Sequence, residues 1–255
     1  MEDDAMRDEM NDTLLMRYNR QIMMPDFDIA GQEALRNSSA LVIGLGGLGC
    51  PAAMYLGAAG CGRMVLADFD AVDLSNLQRQ IAHREQDVGV NKAESVRRAL
   101  ADINPDVSVE TITRPLQEES LSAAVADVDV VLDCTDNFAT RSAVNEACVR
   151  HGKPLVSGAA IRSEGQLAVF DPRRDDAPCY HCLYGMLSEQ QLTCSEAGVI
   201  APLVGVIGSL QALEAVKVLS GFGDACAGRL LLFDGKTMQW REFKVRKDPS
   251  CAVCR

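Results

Sequence analysis

Positive charge is scarce in this chain of 255 residues: 25 Lys and Arg stand against 36 Asp and Glu, a formal net charge of −11. Sequence-independent nucleic-acid binding needs a basic face that displaces counterions, so a nucleic-acid partner is not expected. The same shortage sets a condition on any nucleotide site. The overall field repels phosphates, so local cations and backbone N–H groups must reverse the sign inside the pocket. Histidine is almost missing, with His83, His151 and His181 alone. No apolar run approaches the roughly 20 residues of a membrane span, and Met1-Glu2-Asp3-Asp4 is acidic where a secretory leader is basic. Internal repeats, low-complexity tracts and Pro/Ser linkers are also lacking. The expectation is a cytoplasmic protein without a membrane partner, folded as one unit over 1–255.

Cysteine and glycine are the residues in supply. Ten cysteines would imply disulfides in a small exported protein, but this chain is neither small nor led by a signal sequence. Cys50, Cys61, Cys134, Cys148 and Cys226 sit among apolar or small neighbours and read as reduced structural thiols. Cys179/Cys182 and Cys251/Cys254 form two Cys-x-x-Cys pairs. Four thiolates suit a tetrahedral Zn²⁺, and a closed four-sulfur shell leaves no position for catalysis, so the expected metal is structural and pins the C-terminus to the middle of the chain. Two separate redox motifs are the alternative for these pairs.

Alternating strand and helix patterns run through roughly residue 160. Ala40–Ile43, Met64–Asp68, Val107–Ile112, Val128–Asp133 and Pro154–Ser157 read as strands. Helices are expected at 27–35, 48–59, 92–103, 118–126 and 138–151. The rhythm predicts an α/β, Rossmann-like doubly wound sheet with a parallel first half. Beyond it, 166–170, 229–233 and 239–245 are close enough for antiparallel pairing, with one long helix at 203–220. The expected division is an N-terminal helical segment (1–39), a nucleotide-binding half (40–160) and a second half (161–255) holding the metal clasp. The stretch Arg17-Tyr18-Asn19-Arg20-Gln21-Ile22 carries too many basic groups for a simple core helix.

Gly44-Leu45-Gly46-Gly47-Leu48-Gly49 follows the first strand and opens a helix. In such a turn Gly44 permits the tight bend, Gly46 lets backbone approach phosphate and Gly49 lets helix pack on strand. Phosphate then meets the N–H groups at the helix start. Asp68, about 20 residues on, is placed to accept ribose hydroxyls. A nicotinamide-dependent oxidoreductase would fit this much, but it needs a later acid/base and hydride pocket, for which the three histidines offer nothing.

The segment "DFDAVDLSNLQRQ" (68–80), Lys92 in "GVNKAES" and Asp136 in "LDCTDN" resemble the signature of the ubiquitin-activating-like adenylyltransferases. The resemblance spans the chain from "RYNRQI" to the last cysteine pair. Within the family, "FDIAGQEAL", "VSGAAIRSEGQ" and "LTCSEAGVIAPLVGVIGSLQALEAVKVLSG" look most like the bacterial branch that serves molybdenum-cofactor synthesis, with the thiamine branch next. The resemblance implies ATP with Mg²⁺ as cofactor, bound by Gly44, Gly46, Gly47, Asp68, Asp70, Ser75, Asn76, Gln78, Arg79, Lys92, Asp136 and Asn137. Arg79 and Lys92 would hold phosphates and Asp136 the Mg²⁺, although Asp136 could also simply cap the helix behind it. Arg20 would reach across a homodimer as a trans arginine finger.

The implied partner is a small ubiquitin-like sulfur carrier ending in Gly-Gly, its tail lying along Gly158–Ile161 and Ile200–Leu203. Some related eukaryotic proteins continue past the clasp into a rhodanese domain. Here the sequence stops at Arg255, which implies a separate sulfur donor, a cysteine desulfurase or rhodanese. Cys194 matches a cysteine that bonds covalently in some relatives, and Glu196 beside it disfavours the thiolate, so catalytic thiol and plain loop cysteine both stand. A noncatalytic scaffold would show a gap among Arg79, Lys92 and Asp136, and none is seen.

Overall fold

The computed structural model describes residues 10–185 and 197–255. Eight strands form one sheet in the order β3-β2-β1-β4-β5-β6-β7-β8. They are β1 (Ser39–Ile43), β2 (Arg63–Ala67), β3 (Ser108–Ile112), β4 (Val130–Asp133), β5 (Leu155–Ile161), β6 (Glu164–Phe170), β7 (Arg229–Asp234) and β8 (Gln239–Lys244). The first five are parallel and the last three antiparallel. The mixed sheet agrees with the sequence, whose buried parallel strands read as continuous apolar runs.

Helices cover both faces of the parallel half. On one side lie α3 (Gly49–Ala59), α4 (Lys92–Ile103) and α8 (Ala201–Ser220), over a core that includes Val42, Leu56, Leu66, Leu100, Leu132 and Ile207. On the other lie α5 (Glu118–Ala126) and α6 (Phe138–His151), over Leu41, Val65, Leu121, Val131 and Val144. The short α7 (Tyr180–Tyr184) packs on α6, and α2 (Asp28–Arg36) packs on α8.

The stretch Arg17–Ile22, read as too basic for a simple core helix, lies in the N-terminal surface helix α1 (Asp12–Ile22). Asn11 caps it by accepting the Leu14 N–H at 3.0 Å, and Leu14 and Tyr18 alone are buried. Arg17 and Arg20 point away from that narrow stripe and are exposed. Tyr18 accepts a hydrogen bond from Asn104 Nδ2 at 2.9 Å, while Arg17 donates to the Ile103 carbonyl at 2.8 Å. Both contacts fasten α1 to the end of α4.

Helix α8 is long and largely apolar, its apolar run broken by Gln211, Glu214 and Lys217. An 18-residue window within it has a mean hydropathy of 1.5, enough by length and composition to cross a membrane. The sheet gives the physical reason for that apolarity: Leu203, Val204, Ile207, Ala212 and Ala215 are buried in the core beneath β4, β5 and β6. Gln211 and Glu214 are the buried polar residues of this helix, Glu214 accepting the Cys226 N–H at 2.7 Å. Gln211 is fully buried, and its Nε2 donates to the Asp133 carbonyl at 2.8 Å and to the Val156 carbonyl at 3.2 Å.

Strand β5 also runs further than its sequence suggested, to Ile161, and turns at Arg162, a non-glycine residue at φ 54°, straight into β6. Both halves of the chain therefore share one hydrogen-bonded ladder. Gly158 lies where β5 outruns β4, and a side chain there would overlap Gln211. Gln211→Ala leaves the Asp133 and Val156 carbonyls without that donor and opens a cavity. It is expected to cost about 3 kcal/mol of stability, measured by denaturant unfolding.

Candidate functional site

The register sets the site. Ile43 pairs with Ala67 and with Asp133, Ala67 pairs with Ile112, and Asp133 pairs with Ser157. Four of the five parallel strands, β1 to β4, thus end at one level while β5 runs on past it, and the loops emerge side by side at the reversal of strand order between β1 and β4, where ligands of open α/β sheets bind. Gly44 N–H still donates to Ala67 and Cys134 N–H to Ile43, both at 2.9 Å.

Two glycines make the turn possible. Gly44 has φ +85°, a conformation that strains other residues, and a Cβ there would press on the Cys134 carbonyl at 2.9 Å. A Cβ on Gly49 would overlap the Gly44 carbonyl oxygen, so the start of α3 rests directly on the end of β1. Gly46 differs: the nearest atom to its would-be Cβ is Gln80 Nε2 at 3.6 Å. It is crowded by nothing and faces the cavity.

That cavity holds about 460 Å³ and is walled by Gly44, Gly46 and Gly47, by Asp68, Asp70, Asn76, Arg79 and Lys92, and by Asp136 and Asn137. Asp68 Oδ2 accepts the Leu45 N–H at 2.7 Å and Oδ1 the Asp70 N–H at 2.9 Å. Burial pushes the Asp68 carboxyl above its ordinary value, against those two bonds and the charge of Lys92. Lys92, at the first position of α4, is buried, and its Nζ pairs with Asp70 Oδ2 at 2.9 Å. Arg79 Nη1 donates to the Ser75 carbonyl at 3.1 Å.

On the far wall, Asn137 caps α6 by accepting the Thr140 N–H at 2.8 Å. The cap is therefore Asn137 and not Asp136, whose exposed carboxylate has no hydrogen bond or ion pair among the described residues. The loop holding Asp136 is braced from below. Asp133 Oδ1 accepts from Thr135 N and Oγ1 at 3.0 and 2.7 Å, and Arg141 donates to the carbonyls of Thr135 and Gly158.

Ser75 and Gln78 do not line the cavity; both are exposed on the turn that follows Asp73. Gln80, two residues on, is the glutamine that does, 3% exposed and with Oε1 unpartnered among the described residues. A 3-10 turn at Leu74–Asn76 rotates the segment by more than strand or helix alternation would suggest. Sequence reading also missed Arg114, Thr135 and Arg141. Arg114 stands on the rim after β3, and its spacing from any motif gave no signal. Arg20 lies outside the wall of its own chain. Of the two stretches assigned to a carrier tail, Ala160 reaches the cavity, together with neighbouring Val199 and Val204, while Leu203 is buried in the core. Cys194 lies outside the described residues.

The four cysteines converge some distance from this cavity. Their sulfurs lie within 4.8 Å of one another, with Cys179–Cys182 at 3.9 Å, Cys179–Cys251 at 3.7 Å and Cys182–Cys254 at 3.4 Å. A tetrahedron of Zn–S bonds near 2.3 Å spaces its sulfurs by about 3.8 Å, so the residues fit a zinc ion. Asn145 Nδ2 donates to Cys179 at 3.6 Å, and the Asp248 and Val253 N–H groups point to Cys182 and Cys251 at 3.5 Å each.

Sheet order, glycine turn and acid define a nucleotide-binding protein of the doubly wound class, extended by an antiparallel half and a four-cysteine cluster. A model of the ThiF family matches residues 18–253, and the chain belongs to that family. It is 51% identical over 246 residues to the molybdopterin-synthase adenylyltransferase of Escherichia coli, covering 96% of this chain and 98% of that one. The sulfur carrier protein ThiS adenylyltransferase of the same species is 49% identical over 245 residues, covering 96% and 97%. An adenylyltransferase and sulfurtransferase of Drosophila yakuba is 46% identical over 253 residues, 98% of this chain but 55% of the longer protein. Among solved structures, E. coli MccB with ATP matches at a TM-score of 0.77 and 23% identity over 89% of this chain and 69% of that one, and PaaA at 0.80 and 21% over 97% and 79%. These last two share the fold.

The glycines separate packing from ligand space. Gly49→Ala forces strand from helix and is expected to cost about 3 kcal/mol, whereas Gly46→Ala should stay within about 0.5 kcal/mol of the parent. Thermal unfolding of the two variants without ligand checks the difference.

Proposed function

We propose that this adenylyltransferase activates the C-terminal glycine of a small ubiquitin-like sulfur carrier, the small subunit of molybdopterin synthase, ahead of thiocarboxylation. The carrier carboxylate oxygen attacks the α-phosphorus of ATP, the bond to the β-phosphate oxygen breaks, and acyl-adenylate and pyrophosphate result. The observation that carries this reading is the convergence of Arg79, Lys92 and Asp136 on one cavity with the glycine turn.

Two anions must meet there, so positioning and charge carry the catalysis. In this reading the turn N–H groups and the start of α3 take phosphate. Asp68 takes the ribose, Asn76 and Gln80 line the pocket, and Arg79 and Lys92 hold phosphate oxygens, Lys92 exchanging Asp70 for the ligand. The wall contributes three cations, Arg79, Lys92 and Arg114, and three carboxylates, Asp68, Asp70 and Asp136. Such a balanced wall does not by itself reverse the sign for a triphosphate. Mg²⁺ at Asp136 would neutralise phosphate charge, and Arg20 from a second copy would add the missing cation, which makes the homodimer part of the site.

The carrier tail enters by Ala160, Val199 and Val204. The four-cysteine cluster holds structural zinc, the sulfur donor is a separate desulfurase or rhodanese, and the enzyme works in the cytoplasm without nucleic acid or membrane. Cys194 plays no required covalent part. The thiamine-type carrier is the second reading, favoured by near-equal identity to the ThiS enzyme. A nicotinamide oxidoreductase has less support, since no histidine stands in the cavity wall.

ATP–pyrophosphate exchange with purified molybdopterin-type and thiamine-type carriers, side by side, tests the proposal. Exchange should require a carrier ending in Gly-Gly and be faster with the first. Arg79→Ala should lower it by about 10²–10³-fold while the far-ultraviolet spectrum stays that of the parent; undiminished exchange would remove Arg79 from the chemistry. Elemental analysis should find about one zinc per chain, and Cys182→Ser should lose it together with the order of the C-terminal segment.

A further inference from the structure

Beneath the glycine turn runs a buried chain of polar groups that the chemistry above does not use. His83 is 7% exposed. Its Nδ1 lies 2.9 Å from Ser95 Oγ, which lies 3.0 Å from Asp87 Oδ2. Its Nε2 lies 3.2 Å from the Leu45 carbonyl oxygen and 3.6 Å from Cys50 Sγ. Cys50 Sγ is itself 3.3 Å from the same carbonyl. Leu45 is the second residue of the turn, and its N–H goes to Asp68. The peptide groups on both sides of Leu45 are thus held from below, one by the expected ribose acid and the other by His83.

Counting protons exposes a conflict. The Asp87 carboxylate only accepts, so the Ser95 hydroxyl hydrogen goes to it, and the Ser95 oxygen then accepts from His83 Nδ1–H. A neutral ring is left with a bare Nε2 facing a carbonyl that also only accepts. The Cys50 thiol is the donor within reach of both. Burial pushes it up to about 12, so it keeps its hydrogen, but one weak S–H cannot serve two acceptors. An imidazolium removes the conflict, because Nε2–H then donates to Leu45.

We infer that His83 is a positioning residue of the nucleotide site: on taking a proton it clamps the Leu45 carbonyl, and so orients the Leu45–Gly46 peptide against which a phosphate binds. The inference rests on the ATP reading above. Every charged group facing His83 enters its titration. Burial pushes the imidazole below its ordinary value, the Leu45 carbonyl opposes that, Lys92 on α4 adds to the depression, and Asp87 and Asp68 oppose it. Arg98, 3.8 Å from Asp87, tempers the Asp87 charge. A triphosphate on Lys92 offsets the ammonium that repels the proton, so nucleotide binding and protonation of His83 favour each other. Free His83 is neutral above its lowered pKa; affinity therefore weakens as pH rises through it.

The test is equilibrium binding of a nonhydrolysable ATP analogue with Mg²⁺, from about pH 5.5 to 8, to the full chain, His83→Gln and His83→Asn. Glutamine can present an N–H where Nε2 stood at every pH, whereas asparagine reaches only towards Ser95. Taking ratios to the Gln variant cancels titration of the ligand itself. Relative to that variant, the parent should weaken by about tenfold over the range, and the Asn variant should be about tenfold weaker throughout. Parallel profiles for parent and Gln variant, with Asn equally tight, would overturn the inference. A parent that binds no nucleotide would instead defeat the ATP reading. Should His83→Asn fail to fold, Ser95→Ala decides: with the relay cut, neutral His83 can carry its hydrogen on Nε2, so binding persists and its excess pH dependence disappears. A parental profile in Ser95→Ala would overturn the inference.

Discussion

The contact between Gly49 and the carbonyl of Gly44, too close for any side chain to intervene, is the constraint on which the site depends. It seats the start of α3 on the end of β1 and turns the following N–H groups towards open space. Because Ile43, Ala67, Ile112 and Asp133 lie at one level, that space is bordered by the loops after four strands at once. A shift of one residue in any of those ladders would turn a strand's side chains to the opposite face and carry Asp68 or Asp136 out of the cavity. The uniformly buried strands resist such slippage, since a slip would exchange packed faces on both sides of the sheet.

Charge is the second constraint, and it is met locally. A chain with eleven more acidic than basic groups assembles a wall in which cations and carboxylates balance. The turn adds what side chains do not, the positive end of α3 and its free N–H groups. Lys92 is held ready by Asp70, with only a tenth of its side chain exposed, so its charge is spent on a neighbour until a ligand competes. Preorganisation here means short-range partners that can be exchanged, not a standing positive field.

Much of this was legible in the sequence, for identifiable reasons. Strands β1, β2 and β4 announce themselves because a strand buried on both faces needs a continuous apolar run. Helices α4, α5 and α6 end where the sequence placed them, at Asn104-Pro105, Asp127 and Gly152, residues that stop a helix locally. The paired cysteines were readable because metal geometry imposes their spacing. Other features depend on tertiary partners. Helix α1 looked too polar because just two of its residues meet the core. Helix α8 was readable at 203–220, within two residues of its observed start, but how its Gln211, Glu214 and Lys217 are satisfied, by backbone carbonyls, by the Cys226 N–H and by each other, was not. Gln78 and Gln80 are indistinguishable in a motif, and only the 3-10 turn decides which one faces the cavity.

The antiparallel half gives the nucleotide half its second wall. Strand β5 continues past β4, where Arg141 donates to the Gly158 carbonyl, while Gln211 donates to Val156 within the paired part of the strand. Arg141 simultaneously grips Thr135, so the loop carrying Asp136 is tied to the strand that carries Ala160. Asp136, proposed above as a metal ligand, and Ala160, proposed as the entry for a carrier tail, are thereby tied to each other through one guanidinium. Asp133, fully buried with one oxygen unpartnered among the described residues, braces the same loop by accepting from Thr135. The ion–dipole bracket of Asp133, Thr135, Arg141 and Gly158 therefore does for the second wall what the glycine contact does for the first: it converts the level ending of strands into a cavity of fixed shape.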